Sequence, residues 1–269
     1  MKTIQLITRP HTVKIGDICQ YIEPNVNEDC LFESEGEVIG FYIKDIANYS
    51  QKASQLADIA NKEFRSSGVP KTEMSRGPQG SKKDKLERAA KGINLVTQYS
   101  TILGSVPPKP HMRRPYPTIS SVHSVKTAQT FIKAMLMLCA ESEQIIRNLT
   151  PHIYERQLDI ITQNIPAKWR FGKLFTSSIS NYNIPAPFHR DAGNLEGCVN
   201  VIIAKKENAQ GGNTTVPDYG ATVNSSDNSM LVYPAWRNVH GVTPIVPTKE
   251  GGYRNSLVFY PLKAFKGLD

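Results

Sequence analysis

From Trp169 to the C-terminus the chain is written in short apolar, β-prone runs parted by turn residues: Phe175–Ile179, Val199–Ile203, Met230–Tyr233 and Ser256–Tyr260. Runs this short, bounded by Gly, Pro, Asn and Asp, favour strands over buried helices. Upstream the period changes. Leu56, Ile59, Ala60 and Phe64 recur at helical spacing within Ser54–Phe64, as do Phe131, Met135, Leu138 and Ile145 across Val125–Ile146, and a second helix is expected over Tyr154–Ile161. Near the N-terminus, Val13–Ile18 and Val38–Ile43 read as short strands. The pattern predicts an α+β protein in which helices buttress a β core, with an N-terminal extension over 1–110 and a main domain over 111–269.

At 269 residues, 39% of them hydrophobic, one substantial core can form. Cys19, Cys30, Cys139 and Cys198 are far apart and form no CxxC pair, which argues against a zinc knuckle or disulfide framework. Reduced thiols in a cytoplasm are expected. Met1–Pro10 lacks the pattern of a secretory signal and no stretch is long enough to span a bilayer, so no membrane partner is expected, and no obligate protein partner is evident.

A formal net charge of +8 favours contact with a polyanion, because basic surface steers nucleic acid inward and releases counterions on binding. The charge is concentrated. Segment 66–91 places Lys71, Arg76, Lys82, Lys83, Lys85, Arg88 and Lys91 among Gly, Pro and Ser, and reads either as a solvated loop running into a charged helix or as a mobile DNA-contacting segment. His111-Met112-Arg113-Arg114-Pro115-Tyr116, stiffened by its prolines, could grip phosphates.

His189 and Asp191 flank Arg190, and residues two apart on an extended strand point to one face, so an imidazole and a carboxylate can converge on one ion. His240 supplies a second imidazole. Two histidines and one carboxylate form the facial triad of non-haem Fe(II) oxygenases, which leaves positions open for a chelating cosubstrate and O2. Arg254 follows inside Tyr253–Tyr260, where a strand can aim its planar fork of donors at the distal carboxylate of 2-oxoglutarate, and Ser256 shares its face. His11, His111, His123 and His152 lack this arrangement. Gly211-Gly212-Asn213 reads as a tight turn rather than a phosphate loop, since no strand-to-helix glycine pattern accompanies it.

Phe188-His189-Arg190-Asp191-Ala192-Gly193-Asn194, His240-Gly241-Val242-Thr243-Pro244 and, above all, Arg254-Asn255-Ser256-Leu257-Val258-Phe259-Tyr260 resemble the TET and J-binding-protein family of DNA methylpyrimidine dioxygenases, including TET-like enzymes carried by bacteriophages. The resemblance covers roughly Phe175 to Lys263. It implies a double-stranded β-helix, or jelly roll, with Fe(II), 2-oxoglutarate and O2 as cofactor and cosubstrates. His189, Asp191 and His240 would be metal ligands, Arg254 and Ser256 cosubstrate contacts, and DNA containing a 5-methylpyrimidine the partner. Asn194 would contact the target base and Tyr260 would stack on it; Phe188, Trp236 and Tyr182 are aromatic residues that could line the pocket or pack in the core. The family's histidine two residues after that tyrosine is replaced by Leu262, and the cysteine-rich zinc-binding region of the animal enzymes is absent. The implied reaction is hydroxylation of 5-methylcytosine in a flipped-out nucleotide. Thymine in DNA, a protein side chain as for prolyl hydroxylases, and a catalytically silent DNA-binding module stay open as alternatives.

Overall fold

In the computed structural model, which describes residues 1–73, 97–110 and 113–268, the strands form two facing sheets and a two-stranded ribbon. The large sheet runs, in spatial order, β1 (Lys2–Gln5), β2 (Cys30–Ser34), β3 (Glu37–Ile43), β13 (Met230–Tyr233), β9 (Asn200–Glu207), β16 (Tyr253–Tyr260), β7 (Ser177–Tyr182), β5 (Tyr99–Val106) and β4 (Thr72–Glu73), with β6 (Thr118–Ile119) paired to β5. The second sheet runs β12 (Ala221–Val223), β11 (Thr214–Val216), β14 (His240–Val242) and β8 (Ala186–His189). The ribbon is β10 (Ala209–Gly211) with β15 (Ile245–Pro247). This is the expected α+β double-stranded β-helix.

Three helices cover the outer face of the large sheet. In α1 (Gln51–Arg65) the Ser50 hydroxyl accepts from the Ala53 amide as N-cap, and Ala53, Leu56, Ala57, Ala60 and Phe64 form the buried stripe. α2 (Gln129–Leu149) buries Phe131, Met135, Leu138 and Ile145, and α3 (Pro151–Asn164) starts with proline at a first-turn position, where no amide bond is lost. These stripes meet Met230, Val232, Val201, Ile203, Leu257 and Phe259 of the sheet in one core. A second core, with Phe32, Tyr42 and Leu231 from the large sheet against Val216, Ala221 and Val223, closes one end of the space between the sheets.

Residues of the expected extension are built into the sheet itself, since β3 pairs with β13 and β5 with β7. Most of the basic 66–91 segment, along with His111 and Met112, lies outside the described residues. Val13–Ile18 is a loop and turn instead of the expected strand. Ile15 and Ile18 are 67% and 52% exposed, so the apolar residues that suggested a strand have no core to face. The four cysteines are buried and unbridged, and no described helix is long and apolar enough to cross a membrane.

Candidate active site

Strand register brings the two histidines together. His189 ends β8 and His240 opens β14, and the two are directly paired across the antiparallel ladder with ring centroids 4.4 Å apart. Asp191 lies just past the end of β8, so its aim is not set by strand alternation; its amide donates to the Ala235 carbonyl at 3.2 Å. Ligand atoms of His189, Asp191 and His240 all fall within 4.8 Å of one another, close enough to share an ion.

The surroundings prepare this trio for a metal. Nδ1 of His189 lies 2.8 Å from the Pro187 carbonyl and Nδ1 of His240 lies 3.1 Å from that of Asn238. A carbonyl only accepts, so Nδ1 carries the proton on each ring and the Nε2 lone pair is presented to the ion. Burial, then repulsion from His189 whenever that ring is protonated, pushes the His240 pKa down to about 4, which keeps this imidazole neutral. Burial works against the Asp191 carboxylate, but His189, His240 and Asn200 outweigh it and hold its pKa below the usual range. Asn200 donates to Asp191 Oδ2 at 3.0 Å and fixes the carboxylate.

Arg254, Ser256, Val258 and Tyr260 alternate onto the inner face of β16, while Leu257 and Phe259 face the helices. The Arg254 guanidinium is almost wholly enclosed, and burial lowers its pKa to about 10. Its Nε donates to Ser225 Oγ at 2.9 Å, and among the described residues no carboxylate pairs with it. A buried cation in this state calls for an anion. The Asn183 side chain and amide bond reciprocally to the Arg254 backbone and lock the strand there. Gly211 and Gly212, both at positive φ, do more than turn the chain. A Cβ on Gly212 would approach Arg254 Cδ and Nε to 3.0 Å, and one on Gly211 would overlap the Pro244 carbonyl.

One cavity of about 470 Å³ gathers His189, Asp191, His240, Arg254, Ser256, Asn194 and Tyr260. The loop after Asp191 is stapled to the end of β16 by Leu195 N–H to the Pro261 carbonyl and Lys263 N–H to that of Gly193, which sets Asn194 and Leu262 beside Tyr260. The Asn194 amide donates to Asn200 Oδ1 at 2.8 Å, joining the network that holds Asp191. Among the described residues, Phe188, Trp236 and Tyr182 do not line this cavity. Phe188 packs against Gly241, Trp236 donates from Nε1 to the Cys198 carbonyl, and Tyr182 stacks between Tyr99 and Tyr253. Sequence reasoning missed Asn200 and Ser225. Only Asn200 left a signal, as a polar residue at the head of the Val199–Ile203 apolar run.

Residues 108–263, more than half of the chain, match the family described as Tet_JBP, oxygenase domain of the 2OGFeDO superfamily. The chain belongs to this family. As a Tet/JBP oxygenase it is an oxidoreductase that uses Fe(II), 2-oxoglutarate and O2, and the His-Asp-His trio fits the iron while the enclosed guanidinium fits a carboxylate. Among solved structures, NgTET1 in complex with 5mC DNA matches with a TM-score of 0.58 at 13% identity, over 97% of this chain and 85% of that one. A 2OG-Fe(II) oxygenase family oxidoreductase from Burkholderia pseudomallei gives 0.47 at 14% identity, over 80% and 81%. OsALKBH1 gives 0.40 at 13%, over 90% and 100%. At such identities the NgTET1 likeness is one of fold. No curated protein matches the Tet/JBP chain.

Proposed function

We propose that this Tet/JBP oxygenase hydroxylates the 5-methyl group of 5-methylcytosine in DNA, acting on a nucleotide flipped out of the duplex. The observation that carries the reading is the joining, in one cavity, of a two-histidine, one-carboxylate trio with a buried guanidinium that has no described carboxylate partner. NgTET1 was solved with 5mC DNA, and the net charge of +8 suits the same polyanion.

His189, Asp191 and His240 would hold Fe(II), and Arg254 with Ser256 would grip the distal carboxylate of 2-oxoglutarate. Bound together, iron, 2-oxoglutarate and O2 supply the oxidising power that breaks a methyl C–H bond. The chain positions that methyl and excludes water. Flipping costs a few kcal/mol, and stacking on an aromatic face such as Tyr260 offsets about 1–3 kcal/mol of it. Burial, then the charge of Asp191, raises the Tyr260 pKa, so its hydroxyl stays protonated and can donate to the base or its sugar.

Leu262 lines the cavity with an apolar side chain, and the Asn194 amide is already engaged with Asn200 and Asp191. With the Asn194 Nδ2 so engaged and Leu262 apolar, these two residues do not single out one pyrimidine edge, which makes thymine, with the same methyl, the second reading. Duplexes bearing 5-methylcytosine or thymine in varied contexts, and a proline-containing peptide, would be incubated with Fe(II) and 2-oxoglutarate and analysed by mass spectrometry. The expected product is 5-hydroxymethylcytosine with matching succinate. Hydroxymethyluracil alone would move the assignment to thymine, and a hydroxylated peptide without any oxidised nucleoside would overturn the DNA reading.

A further inference from the structure

The second sheet ends at β8, whereas the large sheet continues beyond β7 through β5 to β4. Register carries one face across those strands. Ser256 lies opposite Asn181, Asn181 opposite Ser100, and Ser100 opposite Thr72. A neighbouring row runs from Val258 through Ile179 to Ile102. Directly opposed residues share a face, and Ser256, Asn181, Val258 and Ile179 line the active-site cavity, so Ser100 and Thr72 prolong its floor. The prolongation is a cleft of about 630 Å³ that shares Ile179 with the cavity.

Lys109 and Arg114 are the cations that can face into this cleft, and its described lining holds no carboxylate. Lys109 and Arg114 are held side by side by backbone hydrogen bonds at 2.7 and 3.2 Å, whereas the Lys71 ammonium turns to the helix-facing side, where it donates to the Ser66 carbonyl and lies 5.1 Å from the centre of the Tyr99 ring. Arg114 donates to Thr118 Oγ1 at 3.0 Å and to the Pro107 carbonyl at 2.6 Å, while its Nε has no acceptor. These partners are neutral, so the guanidinium keeps its charge for an incoming anion.

A flipped nucleotide remains bonded to its neighbours, so its backbone must leave the cavity along a surface continuous with it. We propose that this cleft seats the sugar-phosphate backbone beside the target nucleotide, with Lys109 and Arg114 as phosphate contacts and the hydroxyl of Thr72 as a further donor. The assignment rests on the DNA reading above and says where the strand runs.

The test is binding of a duplex with one 5-methylcytosine, read by fluorescence anisotropy across a salt series, together with steady-state kinetics. Lys109→Gln and Arg114→Gln should each weaken binding several-fold at low salt and reduce the slope of log K against log salt by about 0.9, the value for one lost phosphate contact. The KM for DNA should rise with kcat kept and the KM for 2-oxoglutarate unmoved. Arg114→Lys should retain the slope, which separates charge from packing. Lys133→Gln, which removes one charge from the exposed side of α2, should match wild type. Wild-type affinity and slope in both Gln variants, or equal losses in Lys133→Gln, would overturn the cleft assignment while leaving the DNA reading intact. A wild-type protein with no salt-dependent affinity for DNA and no oxidised nucleoside would overturn both.

Discussion

The two faces of β16 were laid down by the same eight residues and serve opposite ends. Leu257 and Phe259 point to the helices and are fully buried among apolar neighbours, each contributing about 1.5–3 kcal/mol through burial alone. Arg254 and Ser256 point the other way and are nearly as enclosed, yet the enclosure of Arg254 works against its charge. Equal burial thus means different things on the two faces. One is stabilised by being out of water, and the other is held out of water in readiness for a ligand, at a cost that the surrounding core must offset.

The comparison would break most visibly at the metal end. His189→Ala should take succinate formation below detection and remove iron retention on a desalting column, while the melting temperature of the metal-free protein stays within a few degrees of wild type; turnover that persisted would show that another group completes the site. Phe259→Ala is the mirror case. Its loss should cost about 3–5 kcal/mol in denaturant unfolding, with specific activity preserved in the fraction that remains folded. On the same strand, Arg254→Ala should raise the 2-oxoglutarate requirement at least about 30-fold, corresponding to some 2 kcal/mol or more for truncating one partner of a buried charge pair. The metal-free protein should be no less stable, because the substitution removes a desolvated charge. A stability loss like that of Phe259→Ala would erase the distinction between the faces.

A smaller effect separates ligands from the residues behind them. Asn200→Ala should lower iron affinity or activity about 10- to 100-fold, the range for groups that orient a metal ligand, and wild-type iron affinity would show that Asp191 holds its pose without the amide.

The helix-facing side of the molecule could be read in advance because burial imposes a period on the sequence. Ser54–Phe64 falls inside α1, Val125–Ile146 overlaps α2 after two short 3-10 turns, and Met230–Tyr233 is β13 residue for residue. The order His189, Asp191, His240, Arg254 was legible as a set of residue types, although Asp191 lies past the end of β8 and the two histidines meet only through the β8–β14 pairing. What stayed hidden depends on contacts between distant strands: Ser225 reaching Arg254 Nε, and Asn200 reaching Asp191. Of the two roles open to Phe188 and Trp236, the structure places both away from the cavity, turned by strand alternation and by a backbone carbonyl.

Lys206 gives the finest test of the polar face. It lies directly opposite Arg254 across the β9–β16 pair, and its ammonium donates to the Gly211 carbonyl at 2.9 Å. Burial first, and the charge of Arg254 second, bring its pKa down to about 8. Below that pH the ammonium adds a second positive charge beside the guanidinium and favours a bound carboxylate. As pH climbs through about 8 the proton leaves and the attraction is lost. The affinity for 2-oxoglutarate should therefore weaken between pH 7 and pH 9, by up to about fivefold if the added attraction is at most about 1 kcal/mol. Lys206→Met should start from the weaker value and stay flat over the same interval, measured by isothermal titration calorimetry with the iron loaded. An inflection that survived in Lys206→Met would assign the titration to another group and leave Lys206 without a part in holding the cosubstrate.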